Sequence, residues 1–284
     1  MKKRTIPIIV ILTILAGISL IPLYIMVVLS NKESGEVVHH LWRLPKQLRF
    51  DFYQKAFIYL QHYIVNSMSI ASIVVLGVLV LSVISGYVFA RLTFPGKNIL
   101  FLFVISFMFI PGILTLIPAY LWMKEFPLMG GNNFWGEGGS GVLNTWWVMI
   151  LPGISAGQIF GIYLFRSFFE SLPKDIFEAA RIDGASEIGI MFRIALPLCL
   201  PTVATLAILQ FLGIYNDYIW PLVTISDSAK QLFSVGVTRF NSEGNLELGP
   251  TMAGYVIGAI PLIVIFTFGM KYYVTGLMKG ALKA

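Results

Sequence analysis

The sequence predicts an all-α integral membrane protein with six membrane-spanning helices, and three observations lead to this fold class. Apolar residues make up 57% of the 284 residues and charged residues only 12%, whereas about a quarter of a typical soluble chain is charged. Six long runs contain no Asp, Glu, Lys or Arg. Basic residues are concentrated in alternate connections between these runs. The composition excludes a soluble globular domain, and it also excludes a disordered chain, which would be rich in charge.

Each apolar run is long enough to cross a hydrocarbon layer of about 30 Å, which takes about 20 helical residues. The first run follows Met1-Lys2-Lys3-Arg4, as in a signal peptide, but it is too long for one and lacks a small-residue cleavage site. We therefore expect a retained first span. Pro111, Gly112 and Pro118 in the third span and Pro261 in the sixth are positions where a kink is tolerated if protein or a water-lined cavity satisfies the freed backbone. The expected spans cover residues 6–29, 64–90, 98–122, 142–165, 196–216 and 251–270.

Glycines recur at every fourth residue in two of the spans. They are Gly153, Gly157 and Gly161 in the fourth span, and Gly254 and Gly258 in the sixth. Such stripes let helix backbones approach closely in lipid. They indicate a helix bundle that packs against itself or against a partner.

The distribution of charge predicts which way the spans face. Six spans place both termini on one side, and connections rich in Lys and Arg face the cytoplasm. With the N-terminus inside, the inner segments hold 12 of the 20 basic residues and five of the 14 acidic ones. The sequence therefore predicts an N-in, C-in topology. The same bias accounts for the formal net charge of +6 without a nucleic-acid partner.

The sequence contains no familiar reactive site. The single cysteine, Cys199, excludes a disulfide and a cysteine-based metal site, and His39, His40 and His62 lack the spacing of a zinc helix. The glycine-rich segment Gly130–Gly141 lacks the Gly-Lys-Ser/Thr ending of a phosphate loop, so we expect a flexible outer loop there. The absence of ionisable residues from the spans argues against a proton- or sodium-coupled carrier. We therefore expect a membrane pathway with no energy source of its own, no metal and no cofactor.

Four amide side chains within the expected spans are candidates to line a pathway. Amides in membrane helices more often form hydrogen bonds between helices than bind a substrate, so both interpretations stay open. The four residues are Asn66, Gln158, Gln210 and Asn216.

The connection between the fourth and fifth spans, residues 166–197, has a pattern of its own, and we call it the insert. Pro173 and Asp175 suit the first turn of a helix, and Gly184 suits its end. A second short helix follows, and Pro197 ends or kinks it where the fifth span begins. The pattern predicts a helix–turn–helix at the membrane surface. That surface either enters a groove of another protein or contacts lipid headgroups alone.

One motif in the insert resembles the EAA signature of permease subunits of binding-protein-dependent ABC importers. Glu178-Ala179-Ala180 is followed after three residues by Gly184, and nine residues later by Ile194-x-Leu196-Pro197. Three further segments are similar to the sugar-uptake branch of this family: Arg91–Lys97, Leu143–Trp147 and Tyr215–Leu222. The C-terminal residues from Gly276 are similar to the tail of the six-span permease subunit of maltose-type transporters.

The resemblance implies the type I ABC importer fold and a role as one of two permease subunits in a bacterial or archaeal cytoplasmic membrane. The chain would form half of the translocation pathway for a sugar or oligosaccharide that an extracytoplasmic binding protein delivers. Energy would come from ATP and Mg on a partner cytoplasmic ATPase dimer, because this chain would be no enzyme.

The resemblance also implies roles for single residues of the insert. Glu178 would contact the ATPase groove through its carboxylate, Ala179 and Ala180 would allow close packing, and Gly184 would form the turn. Arg181 and Asp183 belong to the same coupling set. The tail would reach toward the ATPase dimer interface, and the outer loop at 236–250 would probe the binding protein.

Three segments follow from this interpretation. Residues 1–60 form the first span and an outer loop, residues 61–275 the core permease domain with the coupling element at 166–197, and residues 276–284 a cytoplasmic tail. Other functions remain open, namely an autonomous channel or facilitator, an ABC importer subunit for a solute other than a sugar, and an assembly subunit with no pathway.

Overall fold

The computed structural model describes residues 2–243 and 247–281, and the regular structure within these ranges is helical. The apolar runs seen in the sequence lie on the longest helices. The helices are α1 (Lys2–Leu29), α2 (Ser34–His39), α3 (Phe50–Arg91), α4 (Lys97–Ser106), α5 (Gly112–Lys124), α6 (Trp147–Ser171), α7 (Lys174–Ile182), α8 (Glu187–Ile190), α9 (Leu196–Leu198), α10 (Leu200–Asn216), α11 (Ile219–Thr224), α12 (Phe233–Glu243) and α13 (Leu248–Ala281).

Within the described ranges, four helices are long and apolar enough to cross a membrane, and two sharply bent pairs bring the possible total to six. The predicted multi-pass helical protein is therefore confirmed, with four to six spans. The four continuous segments are Ile6–Leu29, Phe50–Arg91, Trp147–Ser171 and Leu248–Lys271.

The expected third span, 98–122, is divided into α4 and α5, which meet at 101°. Pro111 precedes α5 directly. Ile110, the residue before it, is extended (φ −83°, ψ 115°), because the proline ring disfavours a helical residue at that position. Of the prolines at which a kink is tolerated, Pro111 thus lies at a sharp bend, whereas Pro118 and Pro261 lie within α5 and α13.

The expected fifth span, 196–216, is bent by 78° near its start. The bend follows a π-helical turn, Met191–Ala195, and falls at Cys199, whose backbone leaves the helical region (φ −100°, ψ 14°). Pro197 and Pro201 stand on either side of the bend. Each lacks the backbone N–H that a continuous helix would use, so the helix restarts at Leu200.

The described residues fall into two compact units, one made of Met1–Ile64 and Phe233–Ile263, the other of Val65–Leu232 and Val264–Ala284. In the first unit, every residue of α1 from 6 to 24 is exposed, as a helix surrounded by lipid allows. A Cβ on Gly254 would lie 2.7 Å from Leu60, and one on Gly258 would collide with the ring of Phe233. Both glycines of the sixth span thus pack against the chain itself.

In the second unit, the glycines of α6 face α3 and α10. A Cβ on Gly153 would lie 3.0 Å from Val74, and one on Gly157 would lie 2.8 Å from Val78. A Cβ on Gly161 would lie 2.6 Å from the Cβ of Ser82. Of the two arrangements that the stripe left open, the structure shows packing within the chain.

The glycine-rich segment after α5 follows a defined hydrogen-bonded path, in contrast to the flexible loop expected. The buried Asn132 donates its amide N–H groups to the carbonyls of Lys124 and Phe126 and accepts the N–H of Gly139. Positive φ angles at five glycines make the turns, a conformation that glycine adopts without steric cost. These glycines are Gly130, Gly131, Gly136, Gly138 and Gly141.

Candidate functional site

The insert forms the two helices that the sequence predicts, and α7 has two distinct faces. Phe177 and Ala180 are buried in the core of the second unit. Of the six residues expected to form a coupling set, Ala180 is therefore directed inward. The other five are exposed: Glu178, Ala179, Arg181, Asp183 and Gly184.

Gly184 ends α7 in the left-handed conformation, with φ +80°. Its N–H donates to the carbonyl of Arg181, and the N–H of Ala185 donates to the carbonyl of Ala180, both at 3.0 Å. This is the Schellman arrangement, which satisfies the last carbonyls of a helix. A Cβ on Gly184 would meet nothing within 4 Å, so the backbone angle alone requires glycine.

The turn projects two apolar side chains away from the bundle. Ile182 is 86% exposed and Ile188 is 69% exposed. Ser186 caps α8, because its hydroxyl accepts the N–H of Gly189 at 3.2 Å. The turn is thus internally satisfied while its outer surface lacks a partner within the described chain.

Glu187, on α8, connects three helices at the end of the second unit where the insert lies. Its Oε1 accepts from Nε of Arg181 on α7 at 2.7 Å, and its Oε2 accepts from the hydroxyl of Tyr87 on α3 at 2.7 Å. The hydrogen bond to the Glu187 carboxylate raises the pKa of Arg181 above its ordinary value. The ion pair thus joins the two helices of the insert, and Tyr87 joins them to α3.

Arg91, the last residue of α3, closes the end of α6. Its Nη2 donates to the carbonyls of Phe169 and Leu172, the latter at 2.8 Å. Its guanidinium carbon lies 3.8 Å from the ring centroid of Phe177, within the range of a cation–π interaction. One cation thus contacts the end of α6 and the buried face of α7.

A cavity of about 620 Å³ lies in the second unit, between α5, α6 and α10. Its wall is largely apolar and contains small residues of α6, among them Gly153, Ala156 and Gly157. Polar groups reach it from Thr115, Gln210 and Asp217, and Trp220 completes one side. A mostly apolar wall with a few placed polar groups is typical of a site for a small molecule.

The structure does not bring the four amide candidates together. Gln210 lines the cavity and donates to the carbonyl of Gly157 at 3.5 Å. Asn66 is 7% exposed and donates to the carbonyls of Ala229 and Gln231. Asn216 is exposed and donates to the carbonyl of Leu212, one turn earlier.

The fourth amide residue, Gln158, is half-buried on α6 next to Gly157. Its backbone carbonyl accepts from the hydroxyl of Ser82 at 3.3 Å, and it is not among the residues that line the cavity. Only Gln210 of the four therefore reaches the cavity. Asp217, which the sequence interpretation treated as lying beyond the span, also reaches it.

Two segments singled out in the sequence meet at the opposite end of this unit, where α6 begins and α10 ends; we call it the far end. The indole N–H of Trp220 donates to the carbonyl of Val148 at 2.8 Å. The backbone N–H of Asn144 donates to the carbonyl of Thr224 at 2.9 Å.

The N–H of Ala229 and the Lys230 ammonium hold the pKa of the Asp227 carboxyl below its ordinary value.

Across the described ranges, no group of three or more His, Cys, Asp or Glu side chains is placed to hold a metal ion.

Comparison with known proteins decides the family. The family described as "Binding-protein-dependent transport system inner membrane component" matches residues 79–279. The chain belongs to this family. It is therefore a permease subunit of an ABC importer and a multi-pass inner-membrane protein, and ATP hydrolysis belongs to a separate subunit.

Individual relatives of the permease agree with this assignment. It is 31% identical to the arabinooligosaccharides transport system permease protein AraQ of Halalkalibacterium halodurans, over 100% of both chains. It is also 31% identical to the trehalose/maltose transport system permease protein MalG of Thermococcus litoralis, over 78% of this chain and 75% of the relative.

A solved structure shares the fold of the permease. It is the crystal structure of a bacterial ABC transporter involved in the import of the acidic polysaccharide alginate. The TM-score is 0.79 at 21% sequence identity, over 96% of this chain and 97% of that one. This likeness confirms the type I ABC importer fold that the EAA motif implied.

The residues that hold the insert of the permease were missed in the sequence. Tyr87 and Glu187 are separated by 100 positions, so no local periodicity connects them. Arg91 was seen only as the start of a segment similar to the sugar-uptake branch. A sequence signal was nevertheless present, because Tyr87 and Arg91 are four residues apart and therefore share one face of α3.

Proposed function

We propose that this permease is one of two permease subunits of an ATP-driven importer for a sugar or oligosaccharide. The named substrates of its relatives support the substrate class, since arabinooligosaccharides, trehalose, maltose and alginate are all saccharides. An extracytoplasmic binding protein delivers the sugar, as the family description indicates. The membrane is the cytoplasmic membrane of a bacterium or archaeon.

The exposed turn of the insert is the observation that carries the coupling role. Ile182 and Ile188 project from it, and Glu178 and Asp183 add carboxylates to the same exposed region. Helices that lie on lipid headgroups are rich in Lys and Arg on their polar face. The exposed face of α7 lacks such an excess. Its two basic residues, Lys174 and Arg181, are outnumbered by three acidic ones, namely Asp175, Glu178 and the adjoining Asp183. This chemistry favours docking in a protein groove over lying on lipid.

The docking partner is a cytoplasmic ATPase dimer that binds ATP and Mg. Glu178 contacts it through the carboxylate, and Ala179 allows a close approach of backbone to backbone. With the insert in the cytoplasm, both termini are also cytoplasmic, and the far end meets the binding protein. The charge bias of the connections supports this orientation.

The cavity of the second unit forms this subunit's share of the pathway, with a second permease supplying the other share. Gln210, Thr115 and Asp217 offer hydrogen-bonding groups to sugar hydroxyls in an otherwise apolar wall. The 276–284 tail extends toward the ATPase; residues 276–281 continue α13, and 282–284 lie outside the described residues.

Purification in mild detergent tests the assembly. We expect the tagged chain to co-purify with an ATPase, a second permease and a binding protein, each identified by mass. The binding protein can then be screened with maltose, trehalose, raffinose and arabinotriose by thermal shift. A chain that purifies alone and transports solutes in liposomes would instead indicate an autonomous facilitator.

Substitution in the insert tests the docking role. Glu178→Ala should remove the ATPase from the purified complex and abolish uptake without changing membrane insertion. Asp175→Ala is the matched control, because Asp175 is an exposed acid on the same helix outside the motif. Unchanged ATPase binding in Glu178→Ala would refute the assigned role of this carboxylate.

A further inference from the structure

The end of α3 is fastened to the insert by two side chains one helical turn apart. Tyr87 is 2% exposed, packs against Phe169 and Phe177, and donates its hydroxyl to Glu187. Arg91 donates to the end of α6 and stacks on Phe177. The insert is thus bonded to α3 as well as to α6, its neighbour in sequence.

Arg91 makes contacts that a lysine cannot reproduce. One of its Nη groups serves two carbonyl acceptors while the planar guanidinium stacks on a ring, whereas a lysine ammonium is a point charge without a stacking plane. The Nε of Arg91 is buried and has no hydrogen-bond partner among the described residues. The contacts that Arg91 makes with α6 and α7 are specific to a guanidinium.

The path from this contact to the cavity is continuous along α3. Val78 and Val74 lie on the same helix, more than two turns before Tyr87, and pack against Gly157 and Gly153. Both glycines form part of the cavity wall. A helix is stiff over this distance, so a displacement of its end by the insert also displaces the wall.

We propose that Tyr87, Arg91 and Glu187 are positioning residues that make α3 move with the insert, so that nucleotide-driven motion of the insert reaches the cavity. This proposal rests on the proposed function, since it requires an ATPase docked on the insert. Glu187 takes the central position because it holds α7 through Arg181 and α3 through Tyr87. The three residues contact neither nucleotide nor sugar and act through α3.

Accessibility of the cavity wall provides a direct readout. Ala156 is exposed and lines the cavity, and the native Cys199 is buried. The reporter is Ala156→Cys in a Cys199→Ala background, in the co-purified complex, labelled with a water-soluble maleimide. The measured quantity is the ratio of labelling rates with and without ATP, Mg and vanadate.

Tyr87→Phe is the principal variant because it removes only the hydroxyl and keeps the ring packing. We expect the nucleotide-dependent change in labelling to shrink by roughly 2- to 30-fold, the range of couplings carried through a packed network, while ATP hydrolysis continues. Glu187→Gln and Arg91→Lys should act in the same direction. The double variant Tyr87→Phe/Glu187→Gln should be no worse than Glu187→Gln alone, because Glu187→Gln already breaks the link to Tyr87.

The control is Tyr163→Phe, which removes a hydroxyl from a half-exposed tyrosine on α6. A merely structural role for Tyr87 would lower the thermal unfolding midpoint and leave the labelling ratio unchanged. If the ATPase co-purifies and Tyr87→Phe and Glu187→Gln both respond to nucleotide as Tyr163→Phe does, the positioning role is refuted. If no ATPase co-purifies with the unsubstituted chain, the proposed function fails as well.

Discussion

The side-chain oxygen of Asn144 accepts the backbone N–H of Asp227 at 2.9 Å and that of Ser226 at 3.2 Å. Asn144 itself has a left-handed backbone, with φ 57°, which asparagine tolerates better than most residues. Asn144, three residues before α6, thereby fixes the segment that follows α11. At the far end of the second unit, side-chain bonds to backbone groups thus join two segments beside the buried core residues Val142 and Ile225.

Replacement of Asn144 tests this link. Asn144→Ala removes both hydrogen bonds and places a less tolerant residue in the left-handed region, so we expect a loss of about 1–3 kcal/mol in stability. Asn144→Asp keeps the acceptor and should lose less. The check is the thermal unfolding midpoint of the purified protein in detergent. Equal midpoints for Asn144→Ala and the unsubstituted protein would contradict the assigned role.

We expect substitutions of Gly184 to be harmful only because they disfavour its left-handed backbone conformation. A non-glycine residue in the left-handed region costs roughly 1–2 kcal/mol, and asparagine is among those that visit this region. Uptake by the assembled importer should therefore be highest in the unsubstituted protein, lower in Gly184→Asn and lowest in Gly184→Ala. Gly213→Ala is the control, because a Cβ there also meets nothing within 4 Å and the residue is helical. A loss of uptake in the control as large as in Gly184→Ala would overturn this explanation.

Gly161 tests the close approach of α6 to α3. Gly161→Ala introduces a Cβ that collides with the hydroxyl of Ser82, and overpacking of this kind costs about 1–3 kcal/mol. Ser82→Gly removes the nearer clash and leaves only Leu206, at 2.8 Å, so the double variant should be more stable than Gly161→Ala alone. Unfolding midpoints of the four proteins in this cycle provide the measurement. Strictly additive losses would show that the two residues do not compete for the same space.

Cysteine substitution separates the amide candidates. In a Cys199→Ala background, Gln210→Cys should react with a water-soluble thiol reagent, because Gln210 lines the cavity. Asn66→Cys should react at least about tenfold more slowly, because burial excludes the reagent from a thiol and Asn66 is 7% exposed. Labelling of both positions at one rate would place the water-accessible path elsewhere.

Hydropathy and turn chemistry predicted most of the fold, because they depend on neighbours in sequence. The apolar runs marked the long helices, and Gly184 marked the end of α7. Of the three prolines where a kink was considered tolerable, only Pro111 lies at a helix break. The bend at Cys199 falls between two prolines, only one of which was weighed. The glycine-rich loop was read as flexible because composition does not show that Asn132 can satisfy three backbone groups at once.

The site was predicted only in part, because only some of its features depend on neighbours in sequence. A local motif identified the exposed face of α7. The hydrogen bonds that support this helix join residues about 80 to 100 positions apart, namely Arg91 with Leu172 and Tyr87 with Glu187. Side-chain geometry likewise decided that Gln210 faces the cavity and Asn66 does not. Polarity within an apolar run is the same for both residues, so the sequence could not distinguish them.

Ala179 and Ala180 are adjacent in one short motif, yet the first is exposed and the second is buried in the bundle. Under the proposed docking of the insert, the ATPase restricts the size of residue 179 and the bundle restricts the size of residue 180. A strain carrying Ala179→Val should regain growth on its sugar through second-site changes in the gene of the ATPase. A strain carrying Ala180→Val should regain it only through changes in this gene, at positions that make room around α7.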